Sequence, residues 1–191
     1  MSVERTAPPP FFPFPPLLPL SVPTIRFASQ PMTKTNCRMP NTYTQIYIHV
    51  VFAVEARQCL IRRERKEELQ KYMTGIVTGQ RQKLLAIDCM PDHTHIFIGQ
   101  NPDIALSDLV GDIKTGSSNH INRNKWFTGR FGWQEGFGAF SYGHSQISAV
   151  IRYIERQEEH HARKTFRDEY LQLLNKFAVA HDERYIFKPL D

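Results

Sequence analysis

The chain has few cysteines and no pair of them at metal-ligating spacing. Cys37, Cys59 and Cys89 are the only three in 191 residues, they form no CxxC, and an odd thiol is left over however they pair. A disulfide-stapled secreted scaffold is excluded, and a reducing, cytoplasmic setting fits. Long apolar runs are also missing. None reaches the roughly 18 uninterrupted residues of a membrane-spanning helix, so no membrane partner is expected. Length excludes a further class: 191 residues and 22.2 kDa suit one domain with its own core and are too few for an eightfold β/α barrel. No internal repeat is present.

An excess of one charge is scarce where it would matter. The formal charge is +5, but the first 38 residues hold Arg5, Arg26, Lys34 and Arg38 against the single acid Glu4, and without them the balance falls to +2. Net charge is therefore weak support for a nucleic-acid partner. Proline is abundant: nine of the 13 lie before residue 39, eight of them interleaved with Phe and Leu in "APPPFFPFPPLLPLSVP". No helix runs through such a stretch. A secretory signal would need a helix-competent apolar segment, whereas here every apolar run is broken by proline. A proline-rich ligand for a partner is one alternative. The plainer expectation is a disordered leader over 1–38, translated from an early start, with the domain proper at 39–191 and Met39 as its natural first residue.

Beyond the leader the patterns are regular. From Thr42, Ile46, Ile48, Val50 and Phe52 alternate with Gln45, Tyr47 and His49, which predicts a strand with one buried face. In "RRERKEELQKYMTGIVTG", Leu69, Tyr72, Met73, Ile76 and Val77 recur at helical spacing, so an amphipathic helix should end near Gly79. "QKLLAIDCM" and "HTHIFIG", separated by Pro91-Asp92, read as a hairpin. A second helix is expected from Ser107 as N-cap, with Gly116 weakening its middle. "FGWQEGFGAFSYG" fits a last strand. The order strand, helix, strand, strand, helix, strand gives an α+β fold, a ferredoxin-like antiparallel sheet with helices on one face. Two more helices follow, one over "SQISAVIRYIERQEEHH" and one over "TFRDEYLQLLNKF" with a capping box at Thr165 and Asp168. "DERYIF" then offers an edge strand or a packed tail.

The histidines in "CMPDHTHIFIGQ" carry the chemistry. On a strand, residues two apart face the same side, so His93 and His95 can both reach one cation. Two partly exposed histidines beside a turn explain the same letters. Hydrolase patterns with a further ligand close behind are excluded, because positions 96–98 are Ile, Phe and Ile. The helix near residue 150 offers Tyr153 and Gln157, about 40° apart on one side at 100° per residue, beside the apolar stripe. His160 and His161 fall in its last turn, where imidazole suits the helix dipole, and are read as structural. Arg123, Lys125 and Arg130 with Trp126 and Trp133 could bind phosphates and stack unpaired bases. A solvated loop with core tryptophans accounts for them equally well.

"MPDHTHIFIG", "SDLVGDIK", "WQEGFGAFSYGHSQISAVIRYIERQEEHH" and "TFRDEYLQLLNKF" together resemble the HUH-type transposases with a single catalytic tyrosine, encoded by bacterial insertion sequences that move as single-stranded DNA. The resemblance runs from about Met39 to the C-terminus. It implies a ferredoxin-like fold with the tyrosine on a C-terminal helix, a bacterial cytoplasmic homodimer, and cutting and rejoining of single-stranded DNA, with a folded hairpin near the element's end as partner. It further implies His93 and His95 as the histidines of the motif, Tyr153 as nucleophile, Gln157 as third metal ligand, and Mg²⁺ or Mn²⁺ as cofactor. In the family the tyrosine is expected from the neighbouring chain. Thr94 departs from the family's bulky hydrophobe and should place a hydroxyl toward the core. Two competing readings are a non-catalytic ferredoxin-like nucleic-acid-binding protein and a metal-dependent nuclease that uses water.

Overall fold

The structure, a computed structural model, describes residues 43–162, 164–182 and 186. The leader expected over 1–38 and most of 182–187 lie outside them. The first alternating run forms β1 (Tyr47–Ala53), followed by α1 (Arg63–Gly79), β2 (Lys83–Cys89), β3 (His93–Gly99), α2 (Leu106–Arg123) and β4 (Gly138–Tyr142). The strands make one antiparallel sheet in the order β2-β3-β1-β4. This is the split βαβ arrangement read from the pattern, and the fold is α+β and ferredoxin-like.

One face of the sheet follows the alternation. Val50, Phe52, Ile96 and Ile98 point to it, and Leu69, Met73 and Val77 of α1 with Leu109, Val110, Ile113 and Ile121 of α2 bury them. Each such side chain contributes roughly 1.5–3 kcal/mol by leaving water. Trp126 and Trp133 belong to this core, and Trp133 Nε1 donates to Ser117 Oγ at 2.9 Å. They are thus packing residues, while Arg123, Lys125 and Arg130 stay exposed. Gly116 does not interrupt α2. A Cβ there would come within 2.7 Å of Ile76 Cδ1, so the glycine leaves room for the tip of that side chain where α1 packs on α2. The N-cap is Ala105 instead of Ser107: the Ala105 carbonyl already accepts from the amides of Asp108 and Leu109, which draws Ser107 into the first turn.

The second face departs from expectation. The alternation sets Gln45, Tyr47 and His49 outward, yet His49 is fully buried, and so is Val51 beside it on the same face of β1. The cover comes from α3 (Ile147–Glu155), α4 (Gln157–His161) and α5 (Phe166–Lys176). Val150 and Ile154 pack on Phe97, and Phe166, Leu173 and Leu174 pack on Val51, Ala53 and Phe140. Gly138 permits this approach, since a Cβ would meet the Tyr170 ring at 2.8 Å. The single helix expected over 145–161 breaks at Arg156 (φ −106°, ψ 25°). The cap of α5 is as read, with Thr165 Oγ1 accepting from the Asp168 amide at 3.2 Å. Among the described residues no helix is long and apolar enough to cross a membrane.

Candidate active site

β3 turns His93 and His95 toward α3, α4 and α5, where both are buried instead of lying exposed beside a turn. Each imidazole is engaged at Nδ1. His93 Nδ1 lies 2.7 Å from Asp92 Oδ1, and Arg57 Nη2 fixes the other carboxylate oxygen at 3.2 Å. The His93 ring lies flat on Phe166, centroids 3.9 Å apart and planes 7° apart. His95 Nδ1 meets His49 Nε2 at 3.0 Å. Burial lowers the pKa of both His93 and His95, and for His93 it outweighs the opposing pull of Asp92. A neutral ring with its hydrogen on Nδ1 has its lone pair on Nε2, and neither Nε2 has a hydrogen-bond partner. Both histidines are therefore presented as ligands, each oriented by a partner behind it.

Two residues that the sequence reading left outside the site complete the cluster. Glu169 on α5 is 1 % exposed, and His161 at the end of α4 reaches it, Nε2 to Oε2 at 2.9 Å. That pair is close without the alignment of a hydrogen bond, since both atoms stand without a partner. Ligand atoms of His93, His95, His161 and Glu169 all lie within 4.8 Å of one another. Burial by itself would raise the pKa of Glu169, but contact with His161, the proximity of His95 and the Tyr153 hydroxyl hold the carboxyl well below its usual range. Burial opposes charging of His161, and its contact with Glu169 overcomes this and raises its pKa. The signal in the sequence was Glu169 itself, an acid on the apolar stripe of Phe166 and Leu173 at helical spacing.

Tyr153 and Gln157 meet at the same carboxylate. The Tyr153 hydroxyl donates to Glu169 Oε1, and Gln157 Nε2 donates to the same oxygen at 3.1 Å. The two residues are not on one continuous helix, because the break at Arg156 lies between them. It leaves Gln157 fully buried, with Oε1 unpartnered. Burial, and then the charge of Glu169, push the Tyr153 pKa far above that of a free phenol. The tyrosine ring stands 6.2 Å from that of His95 in the same chain, edge to face. A chain's own tyrosine thus covers its own histidines, where the resemblance implied a neighbour's. The clustered set fits a divalent cation: three imidazole nitrogens and a carboxylate oxygen, close together and lacking partners, while Gln157 Oε1 is also buried and unpartnered on the residue that bonds Glu169.

The model of the transposase family described as IS200-like matches residues 42–157, a span that includes both histidines, Tyr153 and Gln157. The chain belongs to that family of transposases. The ISDra2 transposase TnpA of Deinococcus radiodurans is 21 % identical over 121 residues, covering 60 % of this chain and 86 % of that protein. Two solved structures are also similar. One is assigned as a transposase from Deinococcus radiodurans R1, with 22 % identity, a TM-score of 0.47, and coverage of 66 % of this chain and 98 % of the other. The second is a REP-associated tyrosine transposase bound to a REP hairpin, with 14 % identity, a TM-score of 0.49, and coverage of 81 % and 93 %.

Proposed function

We propose that this transposase cleaves and rejoins single-stranded DNA at insertion-sequence ends through a covalent 5′-phosphotyrosine on Tyr153. The observation that carries the reading is the shared position of Glu169, bonded to the phenol on one side and lying against His95 and His161 on the other. His93 and His95 would hold the cation, with His161, Glu169 and Gln157 as the further donors. When bound, that cation offsets the charge that develops on a non-bridging phosphate oxygen. A nitrogen-rich set with one carboxylate favours Mn²⁺ over Mg²⁺.

The protein's own groups do the rest. Tyr153 Oη attacks phosphorus in line with the departing 3′ oxygen; the phenolic hydrogen leaves along its bond to Glu169 Oε1 and is passed on to solvent, and the departing 3′ oxygen takes up a proton from solvent in turn. One P–O bond forms and one breaks, leaving a 5′-phosphotyrosine and a free 3′-hydroxyl. The reverse step, with another strand's 3′-hydroxyl, joins new ends without a nucleotide cofactor. The partner in this scheme is a DNA hairpin at the element's end, and the working unit is a homodimer. Residues 1–38 take no part in this scheme.

The non-catalytic binding module is disfavoured because α3 and α5 cover the sheet face on which bases would stack. A water-using nuclease is separated from the proposal by one experiment. Labelled single-stranded DNA carrying the element's end, incubated with protein and Mn²⁺, should give a protein–DNA adduct on a denaturing gel. Cleavage without an adduct would favour the nuclease.

A further inference from the structure

Tyr153 stands between two cavities of different chemistry. One, of about 300 Å³, is walled by Tyr142, Val150 and Leu173, with the amides of Gln146 and Gln172, the ammonium of Lys176 and, at its inner end beside Tyr153, the Glu169 carboxylate. The other, of about 980 Å³, is lined by Arg152, Arg156 and Lys164 against the single acid Glu159. Tyr153, Ala149 and His160 form the wall they share. A strand whose phosphate reaches Tyr153 Oη must send its flanking nucleotides to the two sides of this wall.

The cationic side suits a DNA backbone. Arg152 and Arg156 are exposed and roughly one helical turn apart, flanking the nucleophile in sequence. The smaller cavity suits a base. It has an aromatic and aliphatic wall for a flat π face and amides for a polar edge. Gln146 Oε1 is taken by the Gly143 amide at 3.0 Å, which leaves its NH₂ to donate to a ring nitrogen or carbonyl. Its volume is at the lower end of the ~300–1,000 Å³ of small-ligand pockets, room for one base and not for a stacked pair. A base in duplex could not enter, because pairing and stacking hold its edge and faces.

We propose that the cavity between β4, α3 and α5 takes one unstacked nucleobase adjoining the scissile phosphate, while Arg152, Arg156 and Lys164 hold backbone phosphates on the other side of Tyr153. This rests on Tyr153 being the nucleophile. It makes the site selective for single strands at the point of cutting, independently of any hairpin held elsewhere.

Two fluorescein-labelled probes test it by anisotropy with the full chain in EDTA: a 12-nucleotide oligothymidine and a 12-unit abasic deoxyribose-phosphate strand. Wild type should bind the oligothymidine about tenfold more tightly than the abasic strand, the scale of one stacked base. Ala149→Leu, which fills the shared wall, should remove most of that preference and leave abasic binding within about twofold. Gln172→Leu, at an exposed position of α5, should reduce the preference too and guards against misfolding of the first variant. Arg152→Gln with Arg156→Gln should weaken both probes and lower the slope of log K against log salt by about 1.4, two phosphates at ~0.7 each. Equal wild-type affinity for the two probes, or a preference kept in both leucine variants, overturns the base site. An unchanged salt slope overturns the phosphate track. Adduct formation on the element's end with Mn²⁺ is read separately: an adduct with unaffected variants overturns this inference alone, and no adduct overturns the reading on which it rests.

Discussion

Tyr153 donates its hydroxyl hydrogen to Glu169, sixteen residues further along the chain and itself almost fully buried. The bond ties the nucleophile to the same carboxylate that faces the histidine cluster, so one side chain bears on both metal and tyrosine. Glu169→Gln keeps the shape and removes the charge. It should weaken Mn²⁺ binding by about 10–100-fold in calorimetry, the usual effect of losing a metal ligand or its support. Adduct formation should slow by about 10²-fold or more, the range of a lost proton acceptor. Wild-type Mn²⁺ affinity in the variant would remove Glu169 from the metal site.

His49 should make the metal-free protein sensitive to mild acid. Burial lowers its pKa to about 4, opposed by Glu169 and assisted by Lys176, both on α5. His95 on β3 and Tyr153 on α3 also face it. In the unfolded chain the same imidazole titrates near 6.5, so between those values the unfolded state binds the extra proton. The stability is present in full above pH ~6.5 and falls as pH drops toward 4, by about 3 kcal/mol for this group alone. Urea midpoints in EDTA at pH 7.5 and 4.5 should differ by at least this share, and His49→Gln should reduce the difference, while His93 and His95, whose pKa values burial lowers in the same way, keep the remainder. An unchanged profile in His49→Gln would show that His49 is not the group responsible.

Thr94 is fully buried on the face of β3 that α1 and α2 cover, and its hydroxyl has no hydrogen-bond partner. The cross-strand neighbour is Cys89, whose thiol is at best a weak partner. Thr94→Val removes the orphan group at nearly constant shape and should stabilise the protein by about 1 kcal/mol. A loss of stability on this change would mean that the hydroxyl is satisfied in solution.

Mixing separates a self-contained site from a shared one. Protein altered at His93 and His95 is combined with protein altered at Tyr153 and Gln157, and subunit exchange is verified independently. With each tyrosine over its own chain's histidines, as the geometry here places it, no cleavage should return. Recovery toward half the wild-type rate would mean that a neighbouring chain supplies the tyrosine.

Legibility in the sequence followed distance along the chain. Alternation in β1 and β3 and the apolar spacing of α1 are local, and they gave the sheet, its first core and the shared side of His93 and His95. The second face was hidden because its cover is supplied from α3 and α5, about a hundred residues after β1, so His49 looked like an outward polar residue. The break at Arg156 has no proline or glycine to announce it. It goes with the burial of Gln157 against Glu169, a tertiary demand. His161 was read as a helix-end residue for the same reason: its partners are on β3 and α5. Glu169 alone carried a local sign, a charge on an apolar stripe.

The covalent adduct is the most direct test of the account. Wild-type protein with Mn²⁺ and 5′-extended single-stranded DNA from the element's end should yield a labelled protein band that survives denaturation and disappears on protease digestion. Tyr153→Phe should yield none, while binding the same DNA within a few fold, because only the attacking oxygen is lost. A band of equal strength from Tyr153→Phe would contradict the assignment of the nucleophile. Wild-type cleavage with no band at all would contradict the phosphotyrosine route.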